Sequence, residues 1–171
     1  MSLISFLKEA GEKLFHHGQA AASTEAAASS APAAAQPSVD DLNETASQAI
    51  KKYIAAQGLS AEDLDVEYDG STQTVSVSGV APDQATREKI VLCCGNVSSV
   101  ANVDDQMTVA ASDEPASTYH TVKSGDTLSQ IAKEVYGNAN AYTQIFEANK
   151  PMLSDPNKIY PGQTLRIPEL A

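Results

Sequence analysis

Tyr119-His120-Thr121-Val122-Lys123-Ser124-Gly125-Asp126-Thr127-Leu128 opens the last third of this 171-residue chain, and Ile159-Tyr160-Pro161-Gly162-Gln163-Thr164-Leu165-Arg166-Ile167-Pro168 closes it. Tyr119 to Lys123 reads as a strand. Asp126 stands at an N-cap position ahead of Leu128, Ile131, Ala132 and Val135 at helical spacing, and Gly137 stops that helix. Asn140 is placed to cap a second helix bearing Tyr142, Ile145, Phe146 and Ala148, which ends before Pro151. Leu165 to Ile167 returns as a strand. The predicted unit, residues 118–169, is β-α-α-β.

Upstream, residues 111–117 form a short acidic linker containing Pro115. Residues 40–110 read α-β-β-α-β. Leu42, Ala46, Ala49, Ile50, Tyr53 and Ile54 make one helical stripe, capped by Ser38 or Asp40 and stopped by Gly58. Leu64, Val66 and Tyr68 then alternate with Asp65, Glu67 and Asp69, the period-two pattern of a half-buried strand. Asp69-Gly70 turns the chain, and Thr74 to Ser78 is its partner strand. Asp83 caps a second helix through Ile90, Val91 and Leu92 to Cys94, with Gly95 as its stop. Asn102 to Val109 supplies a third strand. Residues 17–39 are rich in Ala, Ser and Pro and bury too little side chain to offset their ordering entropy, so they read as a tether. In residues 1–16, Leu3, Ile4, Phe6, Leu7, Ala10, Leu14 and Phe15 recur at helical spacing, which predicts a short amphipathic helix starting near Ser2 or Ser5. The fold class is α+β: two small domains preceded by a short helix.

Charge divides the chain unevenly. Residues 40–116 hold four Lys/Arg against fourteen Asp/Glu, and so carry nearly all of the net −11. Such a field repels phosphate within a Debye length, which argues against nucleic acid or an anionic membrane as partner and suits a cation. No apolar run approaches the ~20 residues that a bilayer requires. Lys8, Glu9, Glu12 and Lys13 interrupt what would be the apolar core of a leader. Cys93 and Cys94 are adjacent, a spacing that rarely closes a disulfide without strain. The expected location is therefore cytoplasmic.

Val122-Lys123-Ser124-Gly125-Asp126-Thr127-Leu128, Asn149 and Ile159 to Pro168 resemble a LysM domain. Val77-Ser78-Gly79 and Val103-Asp104-Asp105-Gln106, set in an α-β-β-α-β order, resemble a BON domain. With Phe6 to Leu14 ahead of them, the whole is similar to the bacterial potassium-binding family of BON–LysM architecture.

That resemblance implies a K⁺ sensor, with Rb⁺ or Cs⁺ able to take the ion's place. It places the ion between backbone oxygens of Leu7, Ala10, Gly95 and Val97, with Glu12 as a further ligand. K⁺ is large and weakly hydrated, so neutral carbonyls can replace its water, and helix C-termini supply carbonyls that lack partners. The residues alone favour a plainer reading, in which Gly95 merely ends a helix and Gly11 is neutral. The LysM resemblance implies a shallow N-acetylglucosamine groove at Gly125, Asp126, Thr127, Leu128, Asn149 and Ile159. In a cytoplasmic chain that groove is expected to face the BON domain instead and to close on it when the ion binds, so that K⁺ couples to BON–LysM compaction. Two alternatives stay open: a peptidoglycan-binding adaptor, and a structural interaction module whose BON domain docks on an unknown protein partner or a membrane surface. No nucleophile is paired with His120, and no glycine loop cradles phosphate, so a monomeric binding protein is expected and not an enzyme.

Overall fold

The computed structural model describes residues 2–5, 38–111 and 115–170. Helix α1 (Val39–Ala56) starts at a capping box. Ser38 Oγ accepts from the Asp41 N–H at 3.1 Å, and the Asp41 carboxylate accepts from the Ser38 N–H at 2.9 Å. Gln57 closes the helix and Gly58 follows at φ +70°. Strands β2 (Glu62–Asp69) and β3 (Thr74–Asp83) pair antiparallel, with Val66 and Val77 opposite one another. Helix α2 (Gln84–Gly95) is capped by Asp83, whose carboxylate accepts from Thr86 N at 2.6 Å. Gly95, predicted to follow the helix as its C′ residue, is instead the last helical residue, and Asn96 takes the C-cap.

The predicted third strand is divided. Strands β4 (Asn102–Asp105) and β5 (Thr108–Ala111) both run parallel to β3, separated by Gln106 and Met107. The Met107 N–H turns away to the Asp105 carboxylate at 3.0 Å. Both helices pack on the sheet around Ile50, Ile54, Val75, Ile90, Leu92 and Val103, all essentially buried. Each such side chain contributes about 1.5–3 kcal/mol over exposure.

Strand β1 (Ser2–Ser5) corrects the predicted start of the N-terminal helix. It pairs antiparallel with β4, Ser5 opposite Asn102, at the sheet edge. A strand here satisfies the open main-chain groups of β4, whereas an isolated short helix is marginal in water. Residues 6–16 and 17–37, the remainder of the predicted helix and tether, lie outside the described residues.

The C-terminal unit pairs β6 (Thr118–Thr121) with β7 (Thr164–Ile167), and carries α3 (Leu128–Tyr136), a 3₁₀ turn (Ala139–Ala141) and α4 (Tyr142–Ala148). Its own core holds Val122, Leu128, Ile131, Ile145, Leu153 and Leu165. Two caps move from their predicted places. Thr127, not Asp126, caps α3, accepting from Gln130 N at 3.2 Å. Asn140 does not cap α4: Ala141 holds that N-cap with no side-chain bond, and Asn138 caps the 3₁₀ turn before it.

Candidate functional site

The C-terminus of α2 runs into the core. Leu92, Cys93, Cys94 and Gly95 are buried, and Asn96 bends the chain at φ −83°, ψ 6°. Val97 N–H reaches back to Cys94 O at 3.4 Å, and Val97 O accepts from Val100 N at 3.0 Å, its one main-chain donor among the described residues. Among the described residues, Gly95 O takes no main-chain hydrogen bond from beyond the helix end. Two of the predicted ligand positions, Gly95 and Val97, thus present carbonyls at the negative end of a helix. The other three, Leu7, Ala10 and Glu12, lie outside the described residues. The chain leaves β1 at Ser5, whose partner Asn102 begins the strand that follows this turn. Beside the turn is an apolar groove of about 300 Å³, lined by Ala46, Ala49 and Tyr53 of α1 and by Asn96, Val97 and Val100.

Burial pushes the Cys93 thiol up to about 12, and raises Cys94 as well, so neither forms a thiolate at neutral pH. Burial, with smaller contributions from Cys93 and Tyr160, also raises Tyr53 to about 12. No group of three or more His, Cys, Asp or Glu side chains among the described residues is placed to share a metal ion.

The same helix holds the C-terminal unit in place. Asn96 Nδ2 donates to Thr164 O at 3.1 Å, and Thr164 N donates to Asn96 Oδ1 at 3.0 Å. Two turns earlier on α2, Glu88 meets Arg166 Nε at 2.5 Å, and both side chains are nearly excluded from solvent. Glu88 also accepts from Gln84 Nε2 at 2.7 Å and from Ser117 N at 2.8 Å. Burial, the largest single influence, pushes the Glu88 carboxyl up; the hydrogen bonds from Arg166, Gln84 and Ser117 together outweigh it and hold the group below its ordinary value. Tyr119 and Met152 pack on the core of the first unit. Asn96, Glu88 and Arg166 were not singled out from sequence. A buried ion pair between residues 78 apart carries no local signature.

The predicted glycan residues divide into two groups. Thr127, Leu128 and Ile159 meet, with Tyr142, Pro156 and Asn157, in a groove of about 300 Å³. Gly125 forms the turn before it at φ +91°, and Asp126 accepts from Lys123 N at 2.9 Å and pairs with His120 Nε2 at 3.0 Å. Those bonds, the Lys123 one foremost, hold the Asp126 carboxyl below its usual range. Asn149 lies elsewhere, 2 % exposed, exchanging two hydrogen bonds at 2.8 Å with the main chain of Arg166. The loop that bounds the predicted groove also meets the first unit: Met152, Leu153, Ser154, Lys158 and Tyr160 line a second pocket with Tyr53 and Asn96. Every described residue that lines the Thr127–Ile159 groove itself comes from the C-terminal unit, which docks on the first through β7, Tyr119 and Met152.

No helix among the described residues is long and apolar enough to cross a membrane. Residues 41–111 match the BON domain family and residues 120–168 the LysM domain family. Over 170 residues, covering 99 % of both chains, the sequence is 42 % identical to the potassium binding protein Kbp of Escherichia coli O6:H1. A LysM domain-containing GPI-anchored protein 2 of Arabidopsis thaliana is 36 % identical over 52 % of this chain and 21 % of its own length. An endolysin of Bacillus phage B103 is 40 % identical over 28 % of this chain and 17 % of its own.

Proposed function

The chain belongs to the family of the potassium binding protein Kbp, a BON domain followed by a LysM domain, and on that premise we propose that it binds a potassium ion and reports its occupancy through the fit of its two domains. The ion sits among backbone oxygens of Leu7, Ala10, Gly95 and Val97, with Glu12 as a further ligand. The observation that carries this reading is the end of α2. Its buried Gly95 keeps a carbonyl that takes no main-chain hydrogen bond from beyond the helix among the described residues, and the strand that leads to Leu7 ends opposite Asn102, the first residue of the strand after this turn. The apolar groove beside that turn suits the apolar positions Phe6, Leu7, Ala10 and Leu14. The donor set is neutral carbonyl, which suits a large monovalent ion; Ca²⁺ and Mg²⁺ favour carboxylate-rich cages. The acidic surface of the BON domain raises the local cation concentration without contributing ligands. Rb⁺ and Cs⁺, of similar size and charge, take the same place. The protein acts in the cytoplasm as a monomer, passes its state to a protein partner, and catalyses nothing.

Thermal melts in KCl against NaCl at equal ionic strength test this reading. A ligand bound only by the folded chain stabilises it by about 2.7 kcal/mol at a hundredfold excess over Kd. A higher Tm in KCl supports the site, and superimposed melts refute it. A second reading rests on the LysM groove, whose mixed lining of Thr127, Leu128, Tyr142 and Ile159 stays open while the domains are docked. On that reading the chain is an adaptor for N-acetylglucosamine polymers. Retention on insoluble peptidoglycan with no K⁺ effect on Tm would favour it over the ion reading.

A further inference from the structure

The two carbonyls proposed to face potassium flank one residue, Asn96, and the side chain of that residue leaves the BON domain altogether. Its amide meets the Thr164 peptide with one bond in each direction, so it stands in for the neighbouring strand that β7 lacks on its outer edge. Two residues along the same edge, Asn149 makes the same pair of bonds to Arg166. The outer edge of β7 is therefore completed by one asparagine from its own domain and one from the other. The directions of both bonds fix which amide atom is oxygen and which is nitrogen.

We propose that Asn96 is the positioning residue through which potassium and the LysM domain sense one another. This rests on the potassium reading given above and adds the route. An ion that takes the carbonyls of Gly95 and Val97 fixes the peptide planes on either side of Asn96. Those planes set the direction of its Cα–Cβ bond, and hence the aim of the amide at Thr164. With the ion gone, the turn keeps, among the described residues, the Asn96-to-Leu92 bond at 2.9 Å, the long Val97-to-Cys94 bond and the Val100-to-Val97 bond, and the amide is aimed less firmly at Thr164. Glu88 and Arg166 keep the domains near one another at the far end of α2, so the ion governs alignment at the Asn96 end and not attachment as such. Coupling of this kind is reciprocal: LysM docking must raise potassium affinity by the same factor that potassium strengthens docking.

The test is amide hydrogen exchange by NMR on the full-length chain, with and without KCl at constant ionic strength, beside calorimetric K⁺ titration of the wild type and Asn96→Ala. Potassium should slow exchange of the Thr164 amide, while the Arg166 amide, held by Asn149, serves as internal control and changes much less. Asn96→Ala should abolish the K⁺ response at Thr164 and weaken K⁺ binding about fivefold or more, the low end of usual allosteric coupling. The wild-type comparison needs no variant, so it decides the matter even if Asn96→Ala folds poorly. K⁺ binding with Thr164 and Arg166 responding alike, or an Asn96→Ala chain that binds K⁺ as tightly as wild type, overturns the link but leaves the ion site standing. No K⁺ heat in the wild type overturns both.

Discussion

Gly79 shows how much one residue can settle in this chain. It sits in β3 at φ +134°, and a Cβ built there would lie 2.9 Å from Glu62 O and 3.1 Å from Leu64 Cα. It lies opposite the register shift between Glu62 and Asp65, where Asp63 also adopts a positive φ of 51°. Only glycine lets the two backbones pass so closely. Gly79→Ala should therefore cost ~1–3 kcal/mol from the backbone conformation alone, seen as a lower urea midpoint; an unchanged midpoint would contradict this. Asn149 teaches the opposite lesson about legibility. The sequence marked it as special, but as a groove residue. Its true partners, the Ile145 carbonyl and the main chain of Arg166, include a strand seventeen residues away that no local pattern joins to it. Asp126 misled in a similar way. It is a good helix cap by type, but Lys123 N and His120 occupy its carboxylate and the cap passes to Thr127.

Among the elements, α2 joins the proposed ion site to the interface, since Glu88, Asn96 and the Gly95 carbonyl belong to one helix and its cap. Its existence, its Asp83 cap and its end near Gly95 were legible from apolar spacing and turn chemistry. Its function as a bracket was not, because Glu88 reads as one more surface acid until Arg166 is brought to it by the fold. Strand β1 was misread for a related reason: Leu3 and Ile4 fit a helical stripe, and only the open edge of β4 makes a strand the better outcome. The bracket should be sensitive to acid. The Glu88 carboxyl sits below its ordinary value in the folded chain, so the unfolded chain takes up a proton first as pH falls. The stability it gives is complete above the unfolded value of about 4.3 and drains away as pH drops through the lower folded one. Wild type should therefore out-melt Glu88→Gln clearly at about pH 6, and the gap should narrow towards about pH 3. A gap of equal size at both ends would contradict the assignment.

For the whole molecule, the order of the two domains and most of their elements could be read from the sequence, because LysM and BON units each have strong local patterns. Their relative placement could not. It depends on contacts between residues far apart in the chain, Glu88 with Arg166 and Asn96 with Thr164, which turn β7 rather than the Thr127–Ile159 groove towards the BON domain. The same placement gives the potassium account its physical content. On the proposed account, a monovalent ion at the end of α2 acts on a turn that already grips the second domain, and occupancy and domain alignment then share one set of peptide planes. All of this depends on the ion being bound at all. Isothermal calorimetry of the full-length chain, titrated with KCl against a NaCl background of matched ionic strength, tests that most directly. Saturable heat with a stoichiometry of about one, in keeping with a single carbonyl-lined site, and lost on replacing KCl with NaCl, is the result the account predicts; a titration indistinguishable from dilution would contradict it.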